Sequence, residues 1–167
     1  MTAKPPIIRP ISWVAVLVQL ALICVFALLI RVLFGVRGAA LVFLLGAIAH
    51  SVIYRLTRLL FTPEHRRGIA LFRAQKFSEA APQFEASYAA LSRRPRIDRF
   101  RLLLLGSGGS MSYREMALCN AAFAYSQVGD GSRAVALYEQ ALREFPDSAL
   151  AASSLQMLRA GQAIASP

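Results

Sequence analysis

ALCNAAFAYSQVGDGSRAVALYEQALREFP, residues 117–146, carries apolar residues at helical spacing on both sides of a Gly-Asp-Gly-Ser turn at 129–132. Apolar residues three and four apart line one face of a helix, and a Gly/Asp cluster between two such runs breaks the chain. The stretch therefore predicts a helical hairpin. An earlier stretch, EHRRGIALFRAQKFSEAAPQFEASYAALSRRP at 64–95, repeats it. Gly68, Leu71, Ala80, Phe84 and Ser87 recur as Ala122, Tyr125, Ala134, Tyr138 and Ala141 at identical spacings. Small residues at Gly68, Ala80, Ala122 and Ala134 let two antiparallel helices cross closely, and the larger residues fill the space around the crossing. Ser78 and Ser132 are the expected N-caps of the second helix in each copy. Pro146 closes the second copy; in the first, Ser92 takes that place and Pro95 follows slightly late.

The register resembles the tetratricopeptide repeat (TPR), whose pattern is W-x2-L-G-x2-Y, then A-x3-F, then P. In the second copy Leu118 and Ala121 stand at the Trp and Leu places; in the first these are Glu64 and Arg67, both departures. The resemblance implies an all-α array of antiparallel helix pairs, with repeat one at 62–95 and repeat two at 112–146. It also implies that the first helix of each pair lines a groove for a peptide or partner helix. On this sequence that groove is lined by His65, Ile69, Phe72 and Arg73, then by Cys119, Asn120, Phe123 and Gln127. Asn120 matches the family's frequent groove asparagine, whose amide bonds a peptide backbone or terminal carboxylate. Arg66 takes that place in the first copy, and the other groups of a full carboxylate clamp are absent. A purely structural Asn120 is the alternative. Residues 147–161 are expected to form a capping helix started by Asp147 or Ser148, with Leu150, Leu155 and Leu158 inward and Gly161 as its stop. A tail, 162–167, follows.

Ala80 and Ala134 stand 54 residues apart, whereas the standard repeat is about 34. The surplus is an insertion at about 96–111, predicted as a short helix over 97–105, a Gly/Ser loop at 106–110, and a capping box from Ser112 to Glu115. It is not a phosphate loop, for GxxxxGK[ST] and GxGxxG are both missing. Nor is it a nucleophile elbow, since the run from Gly108 ends in Ser112 where glycine is needed. Arg93, Arg94, Arg96, Arg99 and Arg101 are opposed only by Asp98. They form either a solvated face or a site for anionic lipid headgroups or an acidic partner segment. Arg99 and Arg101 with Leu102–Leu105 suggest an amphipathic patch on a bilayer. Nucleic acid is disfavoured because no aromatic platform accompanies the charge.

Upstream the composition changes. ISWVAVLVQLALICVFALLI, residues 11–30, has only Ser12 and Gln19 as clearly polar members, and AALVFLLGAIAHSVIY follows at 39–54, continuing as RLTRLLF. Runs of this length cross a bilayer of about 30 Å. After a tail at 1–10, two transmembrane helices are expected at about 11–34 and 38–61, with Thr62-Pro63 opening the helical domain that runs over 62–161. The long apolar run, the second one close behind it, and the lack of a small-x-small site argue against a cleaved signal peptide. Pairing Ile30 with Gly38 sets Gln19 level with Ala49 and His50 and lets the backbones approach at Ala47 and Ser51; His50 is either a hydrogen-bond partner of Gln19 or a hydrated residue near the cytoplasmic interface.

Lys4, Arg9, Arg55, Arg58, Arg66 and Arg67 flank the hairpin, against Arg31 and Arg37 in its turn, so both termini and the helical domain are expected in the cytoplasm. The net charge of +10 then suits anionic headgroups, and 17 arginines to 2 lysines point to a GC-rich bacterial genome, hence an inner membrane. Cys24 and Cys119 lie in different regions, which fits a reducing compartment. With two histidines and no acid–base or metal-ligand cluster, neither an enzyme nor a cofactor is expected. The sequence reads as a membrane-anchored adaptor or scaffold that binds a peptide or helix. The alternative is a structural subunit of a larger membrane complex without a free groove. A homo-oligomer is left open.

The orientation is testable in a Cys24→Ser background. A cysteine placed by Val36→Cys should react with a membrane-impermeant maleimide from outside intact cells, and one placed by Ser78→Cys only after the inner membrane is opened. The reverse labelling pattern would invert the topology.

Overall fold

The computed structural model describes residues 13–105 and 111–165, which are helical apart from short connections, with no strand among them. In chain order the helices are α1 (Trp13–Phe34), α2 (Ala39–Phe61), α3 (Pro63–Arg73), α4 (Phe77–Ser92), α5 (Pro95–Arg99), α6 (Arg101–Leu104), α7 (Tyr113–Gln127), α8 (Gly131–Glu144) and α9 (Ala149–Ala165). They fall into two compact units. One joins residues up to Arg58 with the segment from Phe100; the other joins residues 59–99 with those from Met111 onward.

In the first unit α1 and α2 are each long and apolar enough to cross a membrane. Gly35 and Gly38, at φ 62° and 96°, turn the chain between them, a conformation that costs glycine little. The helices approach most closely at Gly46, where a Cβ would lie 2.7 Å from the Ala27 backbone nitrogen. Ala27 and Val42 are buried at the same seam. This register differs from the expected one. The close approach of Gly46 to Ala27 sets a pairing other than that of Ile30 with Gly38. His50 accordingly lies beside Phe26, with ring centroids 6.0 Å apart, rather than level with Gln19. Gly46 takes the interfacial place expected of Ala47 and Ser51. Ser51 is exposed, its hydroxyl donating to the Ala47 carbonyl at 2.7 Å. The short α6 packs against α1, and the Thr57 hydroxyl donates to the Leu104 carbonyl at 2.5 Å.

In the second unit consecutive helices pack in order, α3 on α4, α4 on α7, α7 on α8 and α8 on α9. Ala80, Ala121, Ala122, Ala134 and Ala141 are fully buried where the helices meet. Phe84, also fully buried, fills the space beside Gly68, and burying such a ring contributes about 1.5–3 kcal/mol. Helix ends follow local chemistry. The capping box forms as expected: Ser112 Oγ accepts the Glu115 N–H at 3.0 Å, and the Glu115 carboxylate accepts the Ser112 N–H. Elsewhere the caps differ. Gly129, at φ 84°, swings Asp130 into the cap of α8, where Oδ1 accepts the Arg133 N–H at 3.1 Å, so Ser132 lies inside the helix. Helix α4 starts at Phe77 after Lys76 without a side-chain cap, leaving Ser78 exposed in the first turn.

Two further expectations are corrected. Helix α9 starts at Ala149 behind a Ser148 cap, which puts Ala151, Leu155 and Leu158 on the inward face and leaves Leu150 47% exposed. It also runs through Gly161 to Ala165. The single helix expected over 97–105 is broken at Phe100 into α5 and α6. Its halves answer to different partners: Asp98 Oδ1 accepts the Tyr113 N–H at 2.9 Å, capping α7, while Leu104 is bonded to Thr57. Four successive leucines offer no single apolar stripe to hold one helix together across that pull. The Gly/Ser loop expected at 106–110 lies outside the described residues.

A Cβ on Gly68 would sit 2.8 Å from Phe84 Cε1, whereas one on Gly161 meets nothing within 4 Å. Gly68→Ala is therefore expected to destabilise by about 1–3 kcal/mol through overpacking. Gly161→Ala should be neutral or stabilising by up to about 1 kcal/mol, because glycine is a poor helix former. Urea unfolding of the full chain in detergent, followed by circular dichroism, checks both.

Candidate partner-binding face

Helices α3 and α7 each contribute one face to the sequence-predicted groove. On α3, Ile69 and Phe72 are half-buried and Arg73 is exposed; on α7, Asn120 is half-buried and Gln127 exposed. Phe123 keeps 40% of its surface open. Aromatic contacts bring the two helices' residues together: the rings of Phe72 and Phe123 are 5.4 Å apart, with Phe77 5.3 Å from Phe72 and 6.3 Å from Phe123. Phe84 supports Phe72 from beneath at 6.1 Å. The result is an aromatic patch with a buried floor and one open ring. Asn120 and Gln127 lie three and four residues either side of Phe123, so they share its helix face. Arg73, Asn120 and Gln127 make no side-chain hydrogen bond or ion pair among the described residues.

His65 does not belong to this open face. It is 7% exposed, its ring edge-on to Phe84 at 5.6 Å and Tyr113 at 5.2 Å, with Nδ1 3.4 Å from Ser87 Oγ. The first turn of α3 faces inward there, so the imidazole is a core residue. Cys119 is likewise buried, in the cluster of Leu118, Ala122 and Tyr138. Phe77 is the member that sequence reasoning missed. It opens the second helix of its pair, outside the positions the repeat pattern assigns to the groove. Its signal was a lone aromatic directly after the turn.

The arginine run is also partly redistributed. Arg93, Arg94, Arg96 and Arg99 are exposed, but Arg101 is half-buried. Leu105 is fully buried and Leu104 half-buried, whereas Leu103 is 50% exposed, so the described leucines divide between the interior and the surface. Asp98, the one opposing charge in the sequence, is turned inward to cap α7 and lies 7% exposed. The exposed cations therefore face solvent without a local carboxylate.

Other charged groups serve the scaffold. Glu144 takes hydrogen bonds from Arg114, Tyr88 and Gln140, and Arg114 also donates to Ser92 Oγ at 3.1 Å. Glu85 accepts from the Tyr125 hydroxyl at 3.1 Å and pairs with Arg133, whose guanidinium lies 4.4 Å from the Tyr125 ring centre. Burial, then the nearby Glu85, pushes the Tyr125 phenol above its ordinary range; burial does the same to Tyr138. No group of three potential metal ligands gathers among the described residues. Compared with family models, curated proteins and solved structures, the chain matches none.

Burial, and secondarily Glu115, pushes the Cys119 thiol from 9.0 to about 12. The unfolded thiol ionises above about 9 while the folded one stays protonated, so stability falls as pH rises from there, by up to about 1.4 kcal/mol per unit. Urea midpoints between pH 8 and pH 10 should decline more steeply for the native chain than for Cys119→Ala. Parallel declines would refute this role for the thiol.

Proposed function

We propose that this protein is a membrane-anchored adaptor whose TPR-like helical domain holds a peptide or partner helix on the face built by α3 and α7. The observation that carries the reading is Phe123, an open ring on a buried aromatic floor, flanked by Arg73, Asn120 and Gln127. Apolar anchors framed by free polar groups are the arrangement of protein-binding hot spots. Two apolar helices of membrane-spanning length support the anchor. The charge distribution of the flanks supports a cytoplasmic domain, with both termini on that side of a bacterial inner membrane. The exposed arginines at 93–99 suit anionic headgroups or an acidic partner segment.

A second reading, a permanent subunit of a larger membrane complex, draws on a different surface. Leu150 and Met157 are 47% and 69% exposed on α9, the last helix of the array, where a fixed neighbour would cover them.

Purification of the full chain from native membranes in mild detergent, with quantitative mass spectrometry of what accompanies it, separates the two. The adaptor reading expects partners that fall at least about tenfold on Phe123→Ala, the loss of a hot-spot anchor of roughly 1.4 kcal/mol or more. A stoichiometric partner retained in Phe123→Ala and lost in Met157→Glu would replace it with the subunit reading.

A further inference from the structure

The outer side of α2, away from the seam with α1, carries a shallow depression of about 380 Å³ lined by Ala47, Ile48, Ser51, Val52 and Arg55. The Ser51 hydroxyl is turned back onto its own helix, bonded to the Ala47 carbonyl, so the channel presents an apolar surface. From Ala47 to Arg55 it follows about 12 Å of helix at about 1.5 Å per residue. Arg55 stands exposed at the end nearer the α2 C-terminus. Its neighbour Arg58 is engaged with Tyr54, through the hydroxyl at 3.1 Å and the ring at 5.6 Å. No acidic residue precedes Glu64 in the sequence, so the hairpin itself offers Arg55 no carboxylate.

We infer that this channel holds one acyl chain of an anionic phospholipid whose phosphate is taken by the Arg55 guanidinium. The inference rests on the hairpin spanning the bilayer and is independent of the face on α3 and α7. An apolar channel ending in a cation matches the amphipathic shape of a phospholipid: chain in the hydrocarbon, phosphate at the interface. Guanidinium recognises phosphate through paired, charge-assisted hydrogen bonds. A second copy of the chain fits less well. A parallel α2 packed along Ala47 and Ser51 would bring the partner copy's Arg55 against this one with no carboxylate to relieve the repulsion. An antiparallel one would bury the charge among apolar residues at membrane depth.

The test uses the full chain in phosphatidylcholine vesicles with spin-labelled phosphatidylglycerol or spin-labelled phosphatidylcholine, reading the motionally restricted lipid fraction. Phosphatidylglycerol should associate several-fold more strongly than phosphatidylcholine. Arg55→Gln should reduce that preference at least about threefold, Ser51→Leu should reduce it by filling the channel, and Arg37→Gln, in the opposite turn, should leave it unchanged. The two site variants act on different halves of the ligand, so misfolding of one leaves the other to decide. Equal association of both lipids would overturn the inference, as would a preference that survives both variants. Disulfide crosslinking of two chains through Ser51→Cys, in a Cys24→Ser background, would give the channel to a second copy instead. Alkaline carbonate extraction reports the span separately. Release from the vesicles would overturn the span and the lipid site together, whereas retention without lipid preference overturns the lipid site alone.

Discussion

The helical domain depends on helices being allowed to cross without a Cβ, or with nothing larger than one, between them. At Gly68 the Phe84 ring occupies the space a side chain would take. At Ala80, Ala121, Ala122 and Ala134 the contact surface is a methyl group and full burial follows. Close approach lets the large residues reach across: Phe84 meets Phe72 and His65, and Tyr138 joins Leu118 and Ala151 in one cluster. The same device works between the apolar helices at Gly46 and Ala27.

This dependence explains what could be read from the chain and what could not. Small residues at fixed spacing from larger ones are a pattern in the letters, so the helices, their pairing and most of their faces were legible. Which small residue forms a given contact was not, as the hairpin shows. Gly46, Ala47 and Ser51 lie close together in sequence, and the register turns on which of them meets α1. A difference of a few residues there moved His50 from Gln19 to Phe26. Caps behaved alike: Asp130 and Ser132 are both good cap residues, and the positive φ of Gly129 decided between them. On the candidate face of α3 and α7 the repeat pattern singled out Phe72, Asn120 and Phe123. It missed Phe77 and included His65, because a pattern gives a residue's place on a helix and not the tilt of that helix against its neighbours.

The insertion shows how a segment without a stable fold of its own becomes ordered. Neither α5 nor α6 is long enough to be stable alone. A specific bond ties each to a longer element: Asp98 supplies a cap to α7, and the Leu104 carbonyl receives the Thr57 hydroxyl of α2. The break at Phe100 lies where these two allegiances part, and it is also where the chain passes between the two compact units. An insertion that only filled a loop would need neither bond.

Charge is distributed with similar economy. Arg114, Arg133 and Arg159 each pair with a carboxylate of another helix, Glu144, Glu85 and Glu139 respectively. Arg66, Arg73, Arg93, Arg94, Arg96 and Arg99 form no ion pair among the described residues. Pairs that bridge helices fix neighbours in place but lose their reach into solvent. The half-buried Arg114–Glu144 pair is screened less by salt than an exposed one. Cations left unpaired at the surface contribute little to stability and act through the field they create. Most of the described carboxylates are drawn into caps and bridges, which leaves exposed arginines on α3, after α4 and on α2 without an ion pair. A bilayer can supply a counter-charge to α2, and a bound partner to α3, without the chain breaking any contact that holds its helices together.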